Sequence, residues 1–169
     1  LIIKFFVDYK TRMPTVDRKI LAVIYVSLRK YEKKPRFLIV KDAVEKEWTF
    51  ISGTCEEHER TNKCAIREIR EETRGLVSLK TLPKRTKIFQ TTYENNRVDV
   101  MFIPIRRTEE QMKQIEIEFC EIPTNDRPEL EENTNLRFET LGQFMKRIHV
   151  WEFVKDLCNT EQFIEMCPK

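Results

Sequence analysis

The stretch from residue 60 to residue 73 constrains the chain most. Read as a helix turning about 100° per residue, it places Glu68, Glu71 and Glu72 at i, i+3 and i+4, within about 100° of arc. Ala65, Ile66 and Ile69 fall on a neighbouring arc, so one stripe is buried while three carboxylates crowd another. Like charges at these spacings repel. A cluster of this kind beside a buried face needs something positive, and hard oxygen donors at that density suit Mg²⁺ or Mn²⁺. A solvated acidic face would explain a bare ExxEE as well. It gives no account of Gly53, Glu59 and Arg67 at their distances from that run.

Strands surround the helix. Lys19–Leu28 and Arg36–Lys41 read as buried strands joined in a hairpin across a basic loop, and Trp48–Ile51 as a short strand entering Gly53. Beyond Gly75, residues 76–82 and 86–93 read as extended, with a turn at Asn95-Asn96 before a strand over Val98–Ile105. In the less regular segment 107–135, Ile115–Cys120 reads as a strand and 123–135 as polar loop. Leu136–Glu139 reads as a last strand, with helices over 140–157 and 160–166. Phe144, Ile148, Trp151, Val154 and Leu157 give the C-terminal segment a core-facing stripe. The pattern predicts an α/β (α+β) fold in one domain over 1–169, with an N-terminal extension over 1–18 and C-terminal helices over 140–169.

Apolar residues, 40% of the 169, suffice for a core, and a net charge of +3 neither demands nor excludes a polyanionic partner. The five cysteines are odd in number and contain no CxxC pair. They read as reduced thiols of a cytosolic or nuclear compartment, against a disulfide framework or a structural zinc site. The longest apolar run, 20–28, is too short to span a bilayer, and no signal peptide is visible, so no membrane partner is expected. A DNA partner is not expected either. His58 and His149 lack ligand spacing and do not read as a metal pair; His58 reads as an exposed loop residue, with contact to phosphate the alternative.

Gly53, five residues, Glu59, seven residues, Arg67-Glu68, the aliphatic Ile69, any residue, Glu71-Glu72: in this register the stretch 53–76 resembles the Nudix box. Trp48 and Phe50 lie where the strand before the box carries Trp and an aliphatic residue, and Leu136–Leu141 resembles the last strand leading into a helix. The resemblance covers roughly 19–150. Two features depart from it. Gly75 arrives one residue late, and the lead-in reads Ile51-Ser52-Gly53 with His58 where a glycine is usual.

The resemblance implies a mixed β-sheet sandwiched between helices. It implies that Glu71 and Glu72 bind Mg²⁺ or Mn²⁺ with help from the Gly53 carbonyl. Glu68 is then a further ligand or the base that activates water, and Arg67 holds Glu71 or Glu59 by ion pairing. A fourth carboxylate is expected from the loop before the last strand, with Glu132 the candidate and Glu129 and Glu131 its rivals. The implied reaction is hydrolysis at phosphorus in a nucleoside diphosphate linked to another moiety.

The substrate is read from weaker signals. Thr91 or Thr92 stands where related ADP-ribose pyrophosphatases often carry Pro, and Tyr93 lies where dinucleoside polyphosphate hydrolases often have Tyr. Basic residues cluster at Arg29, Lys30, Lys33, Lys34 and Arg36, and again at Lys80, Lys84, Arg85 and Lys87. If adjoining, they would track an RNA backbone. Phe89, Tyr93 and Trp151 are candidates for base stacking. Lys84, Arg85, Lys87 and Tyr93 are therefore the candidate substrate residues. The charged strands and the Trp48–Gly53 lead-in resemble Nudix proteins of large DNA viruses, baculoviruses among them. The expectation leans to decapping of mRNA, with release of methylguanosine diphosphate. ADP-ribose pyrophosphatase or dinucleoside polyphosphate hydrolase is the alternative. A non-catalytic nucleotide- or RNA-binding module is disfavoured, because Arg67, Glu68, Glu71 and Glu72 are all kept.

Overall fold

The computed structural model describes residues 16–28, 34–122 and 133–168. Its centre is β1 (Arg18–Val26), an almost wholly apolar strand. Ile20, Ala22, Ile24 and Val26 join one buried cluster while Leu21 and Val23 join another, so both faces of the strand are covered. β1 pairs antiparallel with β2 (Arg36–Asp42) and with β4 (Ile51–Thr54), and parallel with β6 (Asn96–Ile105). β3 (Trp48–Thr49) and β7 (Asn133–Glu139) flank β2, and β5 (Lys87–Tyr93) flanks β6, giving a mixed sheet of seven strands among the described residues.

Helices cover both faces. On the first, α1 (Thr61–Glu72) contributes Cys64, Ala65 and Ile69, and α2 (Glu109–Glu121) contributes Met112, Ile115 and Phe119. On the second, α3 (Leu141–Met145), α4 (Glu152–Cys158) and α5 (Glu161–Met166) contribute Phe144, Val154, Leu157 and Phe163. The α/β sandwich expected from the sequence is the fold observed.

Several expectations are corrected. Ile115–Cys120 is not a strand but the interior of α2. Thr108 and Gln111 form a reciprocal capping box at its start, and Met112, Ile115 and Phe119 then line one buried face while Ile117 is exposed. Residues 76–82 form no strand; Leu76, Val77, Leu79 and Leu82 pack singly onto the first cluster. The C-terminal stripe is broken into short helices. Ile148 is 78% exposed, and His149 (φ 62°) turns the chain so that its carbonyl accepts from the Trp48 amide. Finally, Cys55 and Cys64 are joined as a disulfide, with Cα atoms 5.2 Å apart, where reduced thiols were expected. The cause is tertiary. The Cys55 amide donates to the Arg18 carbonyl, and the loop from there folds back over the start of α1. No CxxC spacing announces such a pair.

The β5–β6 turn uses Glu94 and Asn95, both at positive φ, one residue earlier than expected. Among the described residues no helix is long and apolar enough to cross a membrane. Residues 1–15, Arg29, Lys30, Lys33, Glu129, Glu131 and Glu132 lie outside the described residues.

Candidate active site

The start of α1 is tied to the sheet by the Thr61 hydroxyl, which donates to the buried Asp99 carboxylate on β6 at 3.0 Å. The buried positions of α1 are Cys64, Ala65, Glu68, Ile69 and Glu72. Two of the three clustered carboxylates thus point inward, Glu68 at 5% and Glu72 at 8% exposure, while Glu71 faces outward. Burying two acids in adjacent turns is costly unless partners meet them.

Arg67 meets the first of them, Glu68. Its guanidinium donates to both Glu59 oxygens (3.1 and 2.9 Å), to Glu68 (2.6 Å), to Glu71 (3.2 Å) and to the Thr54 carbonyl (3.2 Å). One planar fork therefore ties the box loop, the end of β4 and two helix carboxylates together. The hydrogen bond from Arg67 holds the Glu59 carboxyl below its ordinary range, and the Glu59 partnership in turn pushes the Arg67 pKa up. The sequence left open whether Arg67 holds Glu71 or Glu59, and in the structure it touches both. Arg18 adds a further bond to the Glu59 carbonyl.

Gly53, on β4, is required by space. A Cβ there would fall inside van der Waals contact of the Glu68 carboxyl group. The late glycine has a different account. Arg74 (φ 54°) and Gly75 (φ 80°) both take the left-handed conformation after α1, a cost of roughly 1–2 kcal/mol for a non-glycine residue. Arg74 offsets it with its side chain. It donates to the carbonyls of Phe119 (2.8 Å), Ile122 (3.4 Å) and Asn133 (2.9 Å), and its guanidinium lies 4.1 Å over the Phe119 ring. Asn133, buried at the start of β7, donates through its amide to the Glu72 carboxylate. The extra residue thus anchors α2 and β7 behind the carboxylates. Arg74→Ala is expected to cost about 2 kcal/mol, the scale of leaving such carbonyls unpaired. Calorimetry should then read a Tm lower by roughly 4–8 °C, and an unchanged Tm would contradict this anchoring.

Gly53 also borders a second feature. Tyr93, Trp151 and Phe153 pack as three mutually touching rings, with centroids 5.1 Å (Tyr93–Trp151), 4.6 Å (Tyr93–Phe153) and 5.0 Å (Trp151–Phe153) apart. Together with Lys19, Ser52 and Gly53 they line a cleft of about 140 Å³. The Glu94 carboxylate beside the Tyr93 hydroxyl raises its pKa. On the other side of the box, Glu59, Lys63, Arg67, Arg70 and Glu71 border an open groove of about 750 Å³.

The remaining sequence candidates separate. Tyr93 lies at the end of β5 nearest the box. Lys87 lies at the opposite end of that strand, six residues away and about 20 Å along it. Arg85 acts electrostatically on Tyr25, five residues along β1 from the Ile20 that pairs with Gly53. Lys84 is exposed. Phe89 is core, tilted against Phe102. Sequence reasoning missed Asn133, Arg74, Arg18 and Phe153. Only the delayed glycine hinted at Arg74, and nothing local marked the others.

The NUDIX domain model matches residues 18–157, and the chain belongs to the Nudix family. With the arginine and glutamates of the box all present, it is a Nudix hydrolase. A comparison with curated proteins finds no match. Among solved structures, the chain is similar to the Ap4A hydrolase of C. elegans, at 16% identity and a TM-score of 0.51, covering 89% of this chain and 95% of that one. A binary complex of a C. elegans Ap4A hydrolase gives 18% and 0.52, covering 89% and 93%. A NUDIX family hydrolase from Clostridium perfringens gives 13% and 0.52, covering 89% and 94%. At these identities the likeness shows a shared fold.

Proposed function

We propose that the chain is a divalent-metal-dependent pyrophosphohydrolase of dinucleoside polyphosphates or closely similar nucleoside diphosphate conjugates. The observation that carries this reading is the aromatic cleft of Tyr93, Trp151 and Phe153, which shares Gly53 with the carboxylate cluster. Pockets that enclose a whole small molecule run to roughly 300–1,000 Å³. A cleft of about 140 Å³ takes one ring system, so it suits the base while the phosphates lie over the carboxylates.

The donor set fits a hard dication: Glu68, Glu71 and Glu72 lie on one helix, and the family resemblance adds the Gly53 carbonyl. Glu132, the candidate for the fourth carboxylate, and its rivals Glu129 and Glu131 lie outside the described residues. When bound, Mg²⁺ or Mn²⁺ would neutralise the diphosphate and polarise its oxygens. Arg67 keeps Glu59, Glu68 and Glu71 in one arrangement, and its donors are already engaged, so it is a positioning residue. Glu68, held by Arg67, is in this reading either a further metal ligand or the base that takes the proton of the attacking water. Lys63 and Arg70, on the open groove beside Glu71, meet the departing half of the substrate. The substrate named for the C. elegans structures, Ap4A, is of the proposed kind.

A second reading is the 5′ cap of RNA, with which the resemblance to viral Nudix proteins belongs. The aromatic trio favours it too, because a methylated guanine is cationic and binds well against aromatic faces. The basic run that favoured RNA argues less for it, since Arg85 and Lys87 lie at the end of the sheet away from Tyr93.

Tyr93→Ala tests the cleft. Loss of a base-stacking ring is worth about 1–3 kcal/mol, so KM for a dinucleoside polyphosphate is expected to rise about tenfold while kcat stays within a few-fold. An unchanged KM removes the base from this cleft. Turnover of cap-labelled RNA and of neither dinucleotide nor ADP-ribose would replace the first reading by the second.

A further inference from the structure

We propose that Cys55 and Cys64 form a reversible thiol–disulfide modification site that sets how firmly the Glu59 loop is held against α1. Its effect on turnover rests on the function proposed above. The Cα separation of 5.2 Å lies within the range a disulfide can bridge. The bridge closes the segment from Cys55 to Cys64, and Glu59 lies inside it. Cys55 comes two residues after Gly53. Cys64 comes one helical turn before Arg67 and Glu68. The bond therefore staples together the two ends of the segment that Arg67 spans when it grips Glu59, Glu68 and the Thr54 carbonyl.

Reduction would loosen this segment without releasing it. The Cys55 amide still donates to the Arg18 carbonyl at 2.8 Å, and Glu59 still receives Arg67 and the Glu56 amide. Cys64 is fully buried and Cys55 only half-buried, so a reagent meets Cys55 first. A small dithiol completes the chemistry. One of its thiolates attacks the Cys55 sulfur; the Cys64 sulfur leaves with the bonding pair and takes up a proton. The second thiol of the reductant then resolves the mixed disulfide and frees Cys55. Two electrons and two protons pass to the protein, and the reductant departs as its own cyclic disulfide. Oxidised glutathione runs the exchange in reverse. Cys120, Cys158 and Cys167 stand apart from this pair as free thiols.

The test compares wild type and Cys64→Ala, each equilibrated with oxidised glutathione or with dithiothreitol. Peptide mass spectrometry under non-reducing conditions is expected to find Cys55 linked to Cys64 in the oxidised wild type. The Tm of that form should exceed that of the reduced form by about 5 °C or more, from the chain entropy of a short closed loop. Its kcat should be several-fold higher. Cys64→Ala should show the reduced values in both conditions, and Cys55→Ser should match it. Three outcomes overturn the proposal: both thiols alkylate fully after oxidation; the bridged and unbridged proteins share one Tm; or the thiols are retained by zinc. The last is open because the Glu59 carboxylate and both sulfurs lie within 4.8 Å of one another, and elemental analysis of the purified protein reads it directly. If no nucleotide is turned over in either state, the functional reading has failed, while cross-link and Tm still decide the modification site.

Discussion

Glu72→Gln is expected to lower kcat by about a thousandfold or more and to leave the fold intact. Gln keeps the length of the side chain and an oxygen that can accept from Asn133, so the packing between α1 and β7 survives. What it removes is a negative charge that sits 8% exposed beside Glu68. Metal-centred charge stabilisation supplies several kcal/mol of barrier lowering, and each 1.36 kcal/mol is a factor of about ten. Without substrate or metal, Glu68 and Glu72 repel across one turn, so the variant's Tm should hold or rise slightly. A large loss of turnover with no loss of stability marks a charge kept for chemistry. Turnover within tenfold of wild type would remove Glu72 from the site.

Gly53→Ala should lower kcat by about a hundredfold with little change in KM. The added methyl would occupy the space of the Glu68 carboxyl group. Glu68 is the end of a flexible side chain, so it swings aside before the backbone does, and in moving it leaves Arg67. Displacing a reacting group by about 1 Å can cost on the order of 10² in rate. Since β4 keeps its pairing to β1, the Tm should fall by only a few degrees. A variant that unfolds instead would show that Gly53 serves the backbone; one with full activity would show that the Glu68 position is not critical.

The arrangement at the centre of the candidate site was legible because it is local. Spacing along one helix suffices to put Glu68, Glu71 and Glu72 together, and the box register adds Gly53, Glu59 and Arg67. β1 and β2 were equally plain, being apolar runs long enough for a strand and closed by polar residues. What failed was what the tertiary structure decides. Ile115, Ile117 and Phe119 alternate like a strand, and only the Thr108–Gln111 capping box, which was there to be read, marks α2. Asn133 reaches Glu72 across 61 residues of chain. The Cys55–Cys64 pair depends on a loop folding back over a helix, which no spacing rule encodes. Arg74 shows the same limit: the late glycine was visible, but not that the inserted side chain would tie α2 to β7.

The most direct measurement is a hydrolysis assay of wild type and Glu72→Gln on a dinucleoside polyphosphate, ADP-ribose and cap-labelled RNA, with Mg²⁺ or Mn²⁺ and with a chelator. Wild type is expected to cleave the dinucleoside polyphosphate at a phosphorus–oxygen–phosphorus bond only when metal is present, and Glu72→Gln is expected not to. No turnover of any substrate with metal supplied, or turnover that persists in Glu72→Gln, would contradict the proposed function.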